Sequence, residues 1–189
     1  MLICWCFCGS FCTHAAALDA LRQTAARHEI LPVVSEAAAT TDTRFGDAAG
    51  FLRKIEEITG KEPIRTLPVA EPIGPRLRPD LAVVLPCTGN TLAKIRQGIS
   101  DGPVTLAVKS HLRRGAPLLL GLCSNDALGG NFENLAALSR REGVFFLPLR
   151  QDDTIAKPYS CVADFSFLPE AIDAALAGRQ LRPLFLPGA

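Results

Sequence analysis

Residues 81–97, LAVVLPCTGNTLAKIRQ, pass from an apolar run through a short polar turn into a helical pattern. The run at 81–85 is apolar at every position, which is typical of a strand covered on both faces in a parallel sheet. The helical pattern at 90–97 is followed by Gly98, a common residue after the end of a helix. This strand–turn–helix unit predicts an α/β protein.

The same rhythm recurs along the chain. Six apolar runs are predicted strands, at 2–8, 29–34, 64–69, 81–85, 117–123 and 144–149. Helical patterns occupy 13–27, 47–59, 90–97, 103–114, 132–142 and 169–178. Alternation of this kind predicts a three-layer sandwich, a Rossmann or flavodoxin-like parallel sheet of about six strands with helices on both faces, in a single domain over 1–189. Prolines at 63 and 68 indicate that 64–69 is a short or edge strand.

Composition narrows the class of protein. Twenty basic and nineteen acidic residues leave a net charge of +1, so charge gives no reason to expect a nucleic-acid partner. No apolar run approaches the roughly 20 residues of a membrane span. The apolar start lacks the features of a secretory signal, and seven cysteines without a disulfide framework favour reduced thiols. We therefore expect a cytoplasmic protein.

The chain begins with closely spaced cysteines in CWCFCGSFCTH, residues 4–14. On a strand Cys4, Cys6 and Cys8 share one face but spread over about 13 Å. A zinc ion needs its thiolates at about 2.3 Å from one point, and no second cysteine pair or histidine cluster completes a set. These thiols are predicted to be packing residues, and no metal site is expected.

Polar loops follow three of the predicted strands. The first is Gly9-Ser10-Phe11-Cys12-Thr13, the second is Pro86–Thr91 and the third is Ser124-Asn125-Asp126. In parallel sheets the carboxyl ends of the strands meet at one edge, where ligands bind, and a helix N-terminus there offers free N–H groups to a phosphate. A plain turn and a helix cap at Thr88 or Asn90 are the simpler alternatives. Three such loops at one edge favour a ligand crevice.

With these loops the chain resembles the B subunits of bacterial dipicolinate synthase, within the flavoprotein superfamily that includes homo-oligomeric flavin-containing cysteine decarboxylases. The resemblance covers essentially the whole chain. Its matching segments are GSFCT (9–13), TDTRFG (41–46), KIEEITGKEPI (54–64), AEPIGP (70–75), PCTGNTLAKIRQGISDGPVTLAVKSHLR (86–113), SNDALG (124–129) and QDD with KP (151–158). The long match at 86–113 is the specific one.

Two departures separate the chain from the decarboxylases of that superfamily. Where those enzymes carry an active-site histidine this chain reads EPIGP, with no histidine between His28 and His111. Their Pro-x-Met-Asn motif is replaced by CSNDALG, and the only methionine is Met1. Decarboxylation of a cysteinyl substrate is therefore disfavoured.

The resemblance implies a role in oxidising a dihydropyridine dicarboxylate to dipicolinate during bacterial sporulation. It also implies FMN or a similar phosphate-bearing ligand on this chain, and a homo-oligomer, a trimer or larger. The implied partner is the A subunit of dipicolinate synthase, which carries NAD(P). A non-catalytic partner with a vestigial flavin crevice is the second hypothesis, and a flavin-dependent cysteine decarboxylase is the third.

The implied ligand contacts come from the three loops and from Ser35 after the second strand. The predicted cofactor-binding residues are Gly9, Ser10, Phe11, Cys12, Thr13, Ser35, Pro86, Cys87, Thr88, Gly89, Asn90, Thr91, Ser124, Asn125 and Asp126. Arg44 and the cluster Lys109, His111, Arg113 and Arg114 are candidates for reading substrate carboxylates, since an arginine fork binds carboxylate bidentately. A solvated loop residue, for Arg44, and ordinary basic residues at a helix end, for the cluster, are the alternatives. His111 is the candidate proton acceptor.

Overall fold

A seven-stranded sheet organises the molecule, and the computed structural model describes residues 1–187. The strands are β1 (Leu2–Phe7), β2 (Glu29–Val34), β3 (Leu81–Cys87), β4 (Leu118–Ser124), β5 (Val144–Phe146), β6 (Leu149–Asp153) and β7 (Lys157–Ala163). The helices are α1 (His14–Ala25), α2 (Glu36–Thr40), α3 (Ala48–Thr59), α4 (Leu67–Ala70), α5 (Gly89–Gln97), α6 (Pro103–Leu112), α7 (Phe132–Ser139) and α8 (Leu168–Leu176). Short 3-10 turns at Phe11–Thr13 and Phe165–Phe167 precede α1 and α8.

The parallel part of the sheet has the order β2-β1-β3-β4-β5. The strand order reverses at β1, because β2 lies on one side of β1 and β3 on the other. Right-handed crossovers then place α1 on one face and α5, α6 and α7 on the opposite face. α8 packs against β3, β4 and β5. The mostly parallel α/β sheet with helices on both faces confirms the predicted fold class.

The core lies in the central strands, which are apolar on both faces. Every residue of β3 is buried, and β1 is buried from Ile3 onward. Cys4 and Cys6 lie on the same face with their sulfurs 3.8 Å apart. Trp5 is fully buried and its Nε1 donates to the carbonyl of Leu85 at 3.2 Å. The cysteine-rich start is therefore part of the packed core.

Residues 64–69 were predicted as a strand, and that prediction is wrong. Ile64 forms a single bridge with Val33, and the chain then turns into α4. Pro68 lies in the first turn of α4, where the missing proline N–H costs no hydrogen bond. The run therefore contributes one residue to the edge of β2 and no strand.

The sequence prediction missed the antiparallel hairpin β6–β7. The apolar run at 144–149 contains two strands, because β5 ends at Phe146 and β6 begins at Leu149. β7 pairs with β6 and also with the end of β4, where Cys123 lies opposite Val162 and Ser124 opposite Cys161. The hairpin thus extends the sheet beyond the carboxyl end of β4.

The free edge of β5 is capped by a side chain. The side chain of Gln180 bonds both the N–H and the carbonyl of Phe146, at 2.8 and 2.7 Å, in place of a neighbouring strand. Across residues 1–187 the helices are too short or too polar to cross a membrane.

Candidate functional site

A groove of about 980 Å³ lies at the carboxyl edge of the parallel strands. It is lined by all three predicted loops, by Phe45 and by the hairpin β6–β7. Its volume is at the upper end of the range of about 300–1,000 Å³ found for small-molecule sites. The three predicted loops therefore line one concave site at the carboxyl edge of the sheet.

Most of the predicted cofactor-binding residues come together in the groove. They are Gly9, Ser10, Phe11, Cys12, Thr13, Thr88, Gly89, Asn90, Ser124, Asn125 and Asp126. Their assignment to ligand binding stays a prediction. What the structure establishes is that loops far apart in the chain line one surface.

The second loop is held by a helix cap and a close packing contact. Thr88 is the N-cap of α5, and its hydroxyl accepts a hydrogen bond from the Thr91 N–H at 3.2 Å. A Cβ on Gly89 would collide with the Asn131 side chain and lie 2.8 Å from the Ser124 hydroxyl. Glycine therefore lets α5 begin this close to the third loop without displacing either side chain. Thr88 thus both caps α5 and lines the groove.

Backbone and side-chain donors remain available on all three loops. Within residues 1–187 the N–H groups of Gly89 and Asn90, the first two of α5, have no hydrogen-bond partner. The side chains of Ser10, Asn90 and Asn125 also make no hydrogen bond in this part of the chain. A helix N-terminus with free N–H groups and neutral polar side chains around it suits a phosphate-bearing ligand.

Other predicted ligand residues are engaged elsewhere. The Thr13 hydroxyl donates to the Ser10 carbonyl at 2.8 Å, although Thr13 still lines the groove. Ser35 caps α2, where its hydroxyl accepts from the Ala38 N–H at 3.4 Å, and it does not line the groove. Pro86, Cys87 and Thr91 are buried behind the second loop. They support the loop and do not line the groove.

His111 does not lie near the groove. Its Nε2 bonds the Pro117 carbonyl at 2.8 Å, just before β4 begins, whereas the groove lies past Ser124 at the other end of that strand. Seven residues of strand span about 20 Å. The side chain is fully buried, and burial lowers its pKa. The structure thus separates His111 from the site in which it was predicted to accept a proton.

The rest of the basic cluster lies at that same amino-terminal edge. Lys109 donates to the Ser100 hydroxyl at 3.3 Å, and Arg114 donates to the carbonyl of Pro79, just before β3. Arg113 ends α6 beside them. Arg44 is placed differently, because its guanidinium lies 4.8 Å from the ring centroid of Phe45, a residue of the groove. Arg44 is adjacent to the groove but does not line it.

The hairpin brings charged residues that were not predicted to line the site, although Asp152 and Lys157 lie in the matching segment at 151–158. Lys157 pairs with Asp152 at 2.7 Å, and the Ser160 hydroxyl donates to the same carboxylate at 3.4 Å. This pairing raises the pKa of Lys157. Asp126 accepts from the Gly130 N–H at 2.9 Å and from Asn131 at 3.3 Å. Both carboxylates of the groove thus have donors within the protein.

The thiols around the groove are held neutral by burial. Burial raises the pKa of Cys8 to about 11 and that of Cys123 to about 12, so neither is a thiolate nucleophile near neutral pH. Cys12 is the exposed cysteine of the first loop. In residues 1–187 no three His, Cys, Asp or Glu side chains are grouped so as to hold a metal ion.

Comparisons with known proteins identify the family of the chain. The flavoprotein family model matches residues 3–167. The chain is 40% identical over 179 residues to the B subunit of dipicolinate synthase from Bacillus subtilis (strain 168), covering 94% of this chain and 90% of that protein. The crystal structure of the B subunit of dipicolinate synthase from Bacillus halodurans C superimposes with a TM-score of 0.90 at 34% identity, covering 100% of this chain and 97% of the other.

A more distant structure shares the fold with less of the chain. A dodecameric FMN-dependent UbiX-like decarboxylase from Escherichia coli O157:H7 is 25% identical, with a TM-score of 0.64, and the match covers 78% of this chain and 80% of that one.

Proposed function

Because this chain belongs to the flavoprotein family and, within it, to the B subunits of dipicolinate synthase, we propose that it contributes to oxidising a dihydropyridine dicarboxylate to dipicolinate in sporulation. The observation that carries the proposal is the groove, where one unpartnered polar side chain from each loop (Ser10, Asn90 and Asn125) lines the same surface. The partner is the synthase's A subunit, which carries NAD(P). We propose that the protein acts in the cytoplasm.

FMN is the ligand proposed for the groove. The free N–H groups of Gly89 and Asn90 and the hydroxyl of Ser10 are the donors for its phosphate and ribityl oxygens. Asn125, on the third loop, offers an amide to the polar edge of the ring. A bound flavin supplies a hydride acceptor, which oxidation of a dihydropyridine requires. The residues of the protein bind and orient the ligand, while both acidic side chains of the groove are already paired.

A second candidate function is that of a non-catalytic partner. One observation favours it, because the hydroxyls of Thr13 and Ser35, two of the predicted cofactor-binding residues, are hydrogen-bonded to the protein's own backbone. A vestigial crevice would then bind substrate or only stabilise the A subunit. A cysteine decarboxylase is the third candidate, and the absence of histidine from the groove lining within residues 1–187 counts against it.

Oligomerisation is part of the proposal. We infer a homo-oligomer, a trimer or larger, built from one flavoprotein domain over 1–189, and the dodecameric state of the UbiX-like relative supports it. Sedimentation velocity of the purified chain measures this state directly, and a monomer at micromolar concentration would contradict it.

The test of the flavin assignment uses the purified chain alone. We expect flavin absorbance that is released on denaturation, or its return when the colourless protein is mixed with FMN. Ser10→Ala should weaken FMN binding about tenfold, as expected for loss of a hydrogen bond to the phosphate. Ser139→Ala, at an exposed helix end outside the groove, is the matched control. A protein that cannot be loaded with FMN yet stimulates the A subunit would establish the second candidate instead.

A further inference from the structure

A smaller cavity of about 260 Å³ borders the groove, and we call it the side pocket. Phe11 and Phe45 line both cavities, so a ligand in one lies directly beside a ligand in the other. The chemistry of the side pocket differs from that of the groove. Its other characteristic residues are His14, Phe51, Arg53 and Lys54, which combine aromatic rings with positive charge.

His14 is held in one orientation in this pocket. Its ring stacks on Phe51, with centroids 4.2 Å apart and planes at 13°, and its Nε2 lies 2.8 Å from the Cys8 carbonyl. A carbonyl oxygen can only accept a hydrogen bond, so Nε2 carries the proton. In the neutral ring Nδ1 is then a free acceptor, without a partner in residues 1–187. Burial lowers the pKa of His14, which favours this neutral form.

The two basic side chains of the side pocket have no ionic or hydrogen-bond partner within residues 1–187. Arg53 and Lys54, on α3, are exposed and form no ion pair or side-chain hydrogen bond within residues 1–187. Asp47, the acidic residue of the lining, accepts from the Gly50 N–H, and that bond, with a smaller contribution from Arg53 and Lys54, lowers its pKa. Lys157 in the groove, by contrast, is already paired with Asp152. Of the two cavities, as lined by residues 1–187, the side pocket is therefore the one with unpaired cations.

We propose that the side pocket binds the pyridine-type dicarboxylate of the reaction, with Arg53 and Lys54 contacting its carboxylates and Nδ1 of His14 facing its ring nitrogen. Neutral His14 accepts a hydrogen bond from the N–H of a dihydropyridine there, and protonated His14 donates to the bare ring nitrogen of dipicolinate. This inference rests on the proposed function for its choice of ligand. Two cations match two carboxylates, since charge-assisted bonds to carboxylate are the strong ones. The aromatic walls suit a flat ring, and 260 Å³ accommodates one such ring but not a flavin as well.

Calorimetric titration with dipicolinate, using the purified chain, tests the carboxylate contacts. Arg53→Gln and Lys54→Gln should each weaken binding about fivefold to tenfold, as expected for the loss of one charged hydrogen bond that is partly exposed. Arg76→Gln is the matched control, because Arg76 is exposed and lines neither cavity. Equal affinities in the Arg53 and Arg76 variants, or no binding to the wild-type chain, would overturn the inference.

Histidine NMR gives a readout that a purely structural role would not move. A bound dianion favours the imidazolium form, so dipicolinate should raise the pKa of His14, and by reciprocity dipicolinate should bind more tightly as the pH falls through that pKa. Asp47, Arg53 and Lys54 are the charged groups that face the ring across the pocket. His28, which lines neither cavity, is the internal control. An unmoved His14 pKa at saturating dipicolinate rejects the site.

Titration with FMN separates this inference from the proposed function. If FMN binds and dipicolinate does not, the side pocket is rejected while the flavin groove stands. If dipicolinate binds through Arg53 and FMN does not bind, the pocket stands and the flavin assignment fails. Competition between the two ligands, together with weaker FMN binding in Arg53→Gln, would give the pocket to the flavin and overturn the inference.

Discussion

Gly121→Ala in β4 is the substitution whose cost is most directly readable from the structure. A Cβ at Gly121 would collide with Cδ1 of Leu85 and lie 3.1 Å from Cδ1 of Leu147. Both leucines are fully buried, so neither can turn outward into solvent. Leu85 immediately precedes the second loop of the groove. The added methyl therefore forces the core apart next to the proposed ligand site.

Overpacking of a close-packed core costs about 1–3 kcal/mol, and we place Gly121→Ala in the upper half of that range because both neighbouring leucines are fully buried and must move within the packed core. Urea unfolding of the wild type and variant measures the change. Gly102→Ala is the matched control, since its Cβ would meet only Thr105 Oγ1 at 3.9 Å and its φ of −150° suits any residue. That control should cost no more than about 1 kcal/mol.

The collision with Leu85 can be isolated with a second substitution. Leu85→Val removes the atom that the new methyl would strike and should by itself cost about 0.5–1.5 kcal/mol. In the double variant the two costs should fall short of their sum by at least about 0.5 kcal/mol, which exceeds the usual scatter of additivity. Strictly additive costs, or a Gly121→Ala variant as stable as the control, would refute the packing argument.

Three further predictions concern pH, the side chain that bonds the edge of β5, and the second loop. The pKa of His111 in the folded chain is lowered from the usual 6.5, so the unfolded chain binds more protons and the free energy of unfolding should fall as the pH drops through about 6.5. Urea unfolding at several pH values should give a shallower dependence of that free energy on pH for His111→Gln, and an unchanged dependence contradicts the assignment. Gln180→Ala should cost about 1–3 kcal/mol, because both polar groups of Phe146 lose their partner; thermal unfolding that matches the wild type would contradict this. Gly89→Ala should displace Asn131 and weaken FMN binding at least about tenfold, whereas Gly89→Ala in an Asn131→Ala background should recover much of it, as measured by fluorescence titration.

The fold was predictable where the hydrophobic pattern is unambiguous. The runs at 81–85 and 117–123 are apolar on successive residues because both faces of β3 and β4 are covered, and their length suits a strand better than a helix. The run at 64–69 was also predicted as a strand, yet Ile64 forms only a single bridge and the chain enters α4 at Leu67, with Pro68 in its first turn. The boundary between β5 and β6 is hidden inside one apolar run. Pattern alone does not reveal where such a run bends.

The groove was partly predictable for a topological reason. Parallel strands must end at one edge, so the loops near 10, 88 and 125 could be brought together from their order in the chain. The hairpin's part of the groove could not be predicted in this way, because Asp152, Lys157 and Ser160 meet only through antiparallel pairing of β6 with β7. His111 was misplaced for the opposite reason. It lies near the end of α6, which leads into the beginning of β4, so the side chain is buried at the edge of the sheet opposite the groove.

The balance of charge in the groove depends on that missed hairpin. Counted from the sequence, Asp126 and Asp152 would repel a phosphate or a dicarboxylate. In the structure the Asp126 carboxylate receives hydrogen bonds from Gly130 and Asn131, and that of Asp152 receives them from Lys157 and Ser160. Donors placed on a carboxylate offset its field at short range, which leaves the free N–H groups of α5 and the unpaired cations of the side pocket to attract an anion. Asp152→Asn should therefore free Lys157 for the phosphate of the ligand in the groove and strengthen FMN binding. Lys157→Gln, which leaves the Asp152 carboxylate with only the Ser160 hydroxyl as donor, should weaken FMN binding, and an FMN titration that orders the two variants the other way contradicts this account of the site.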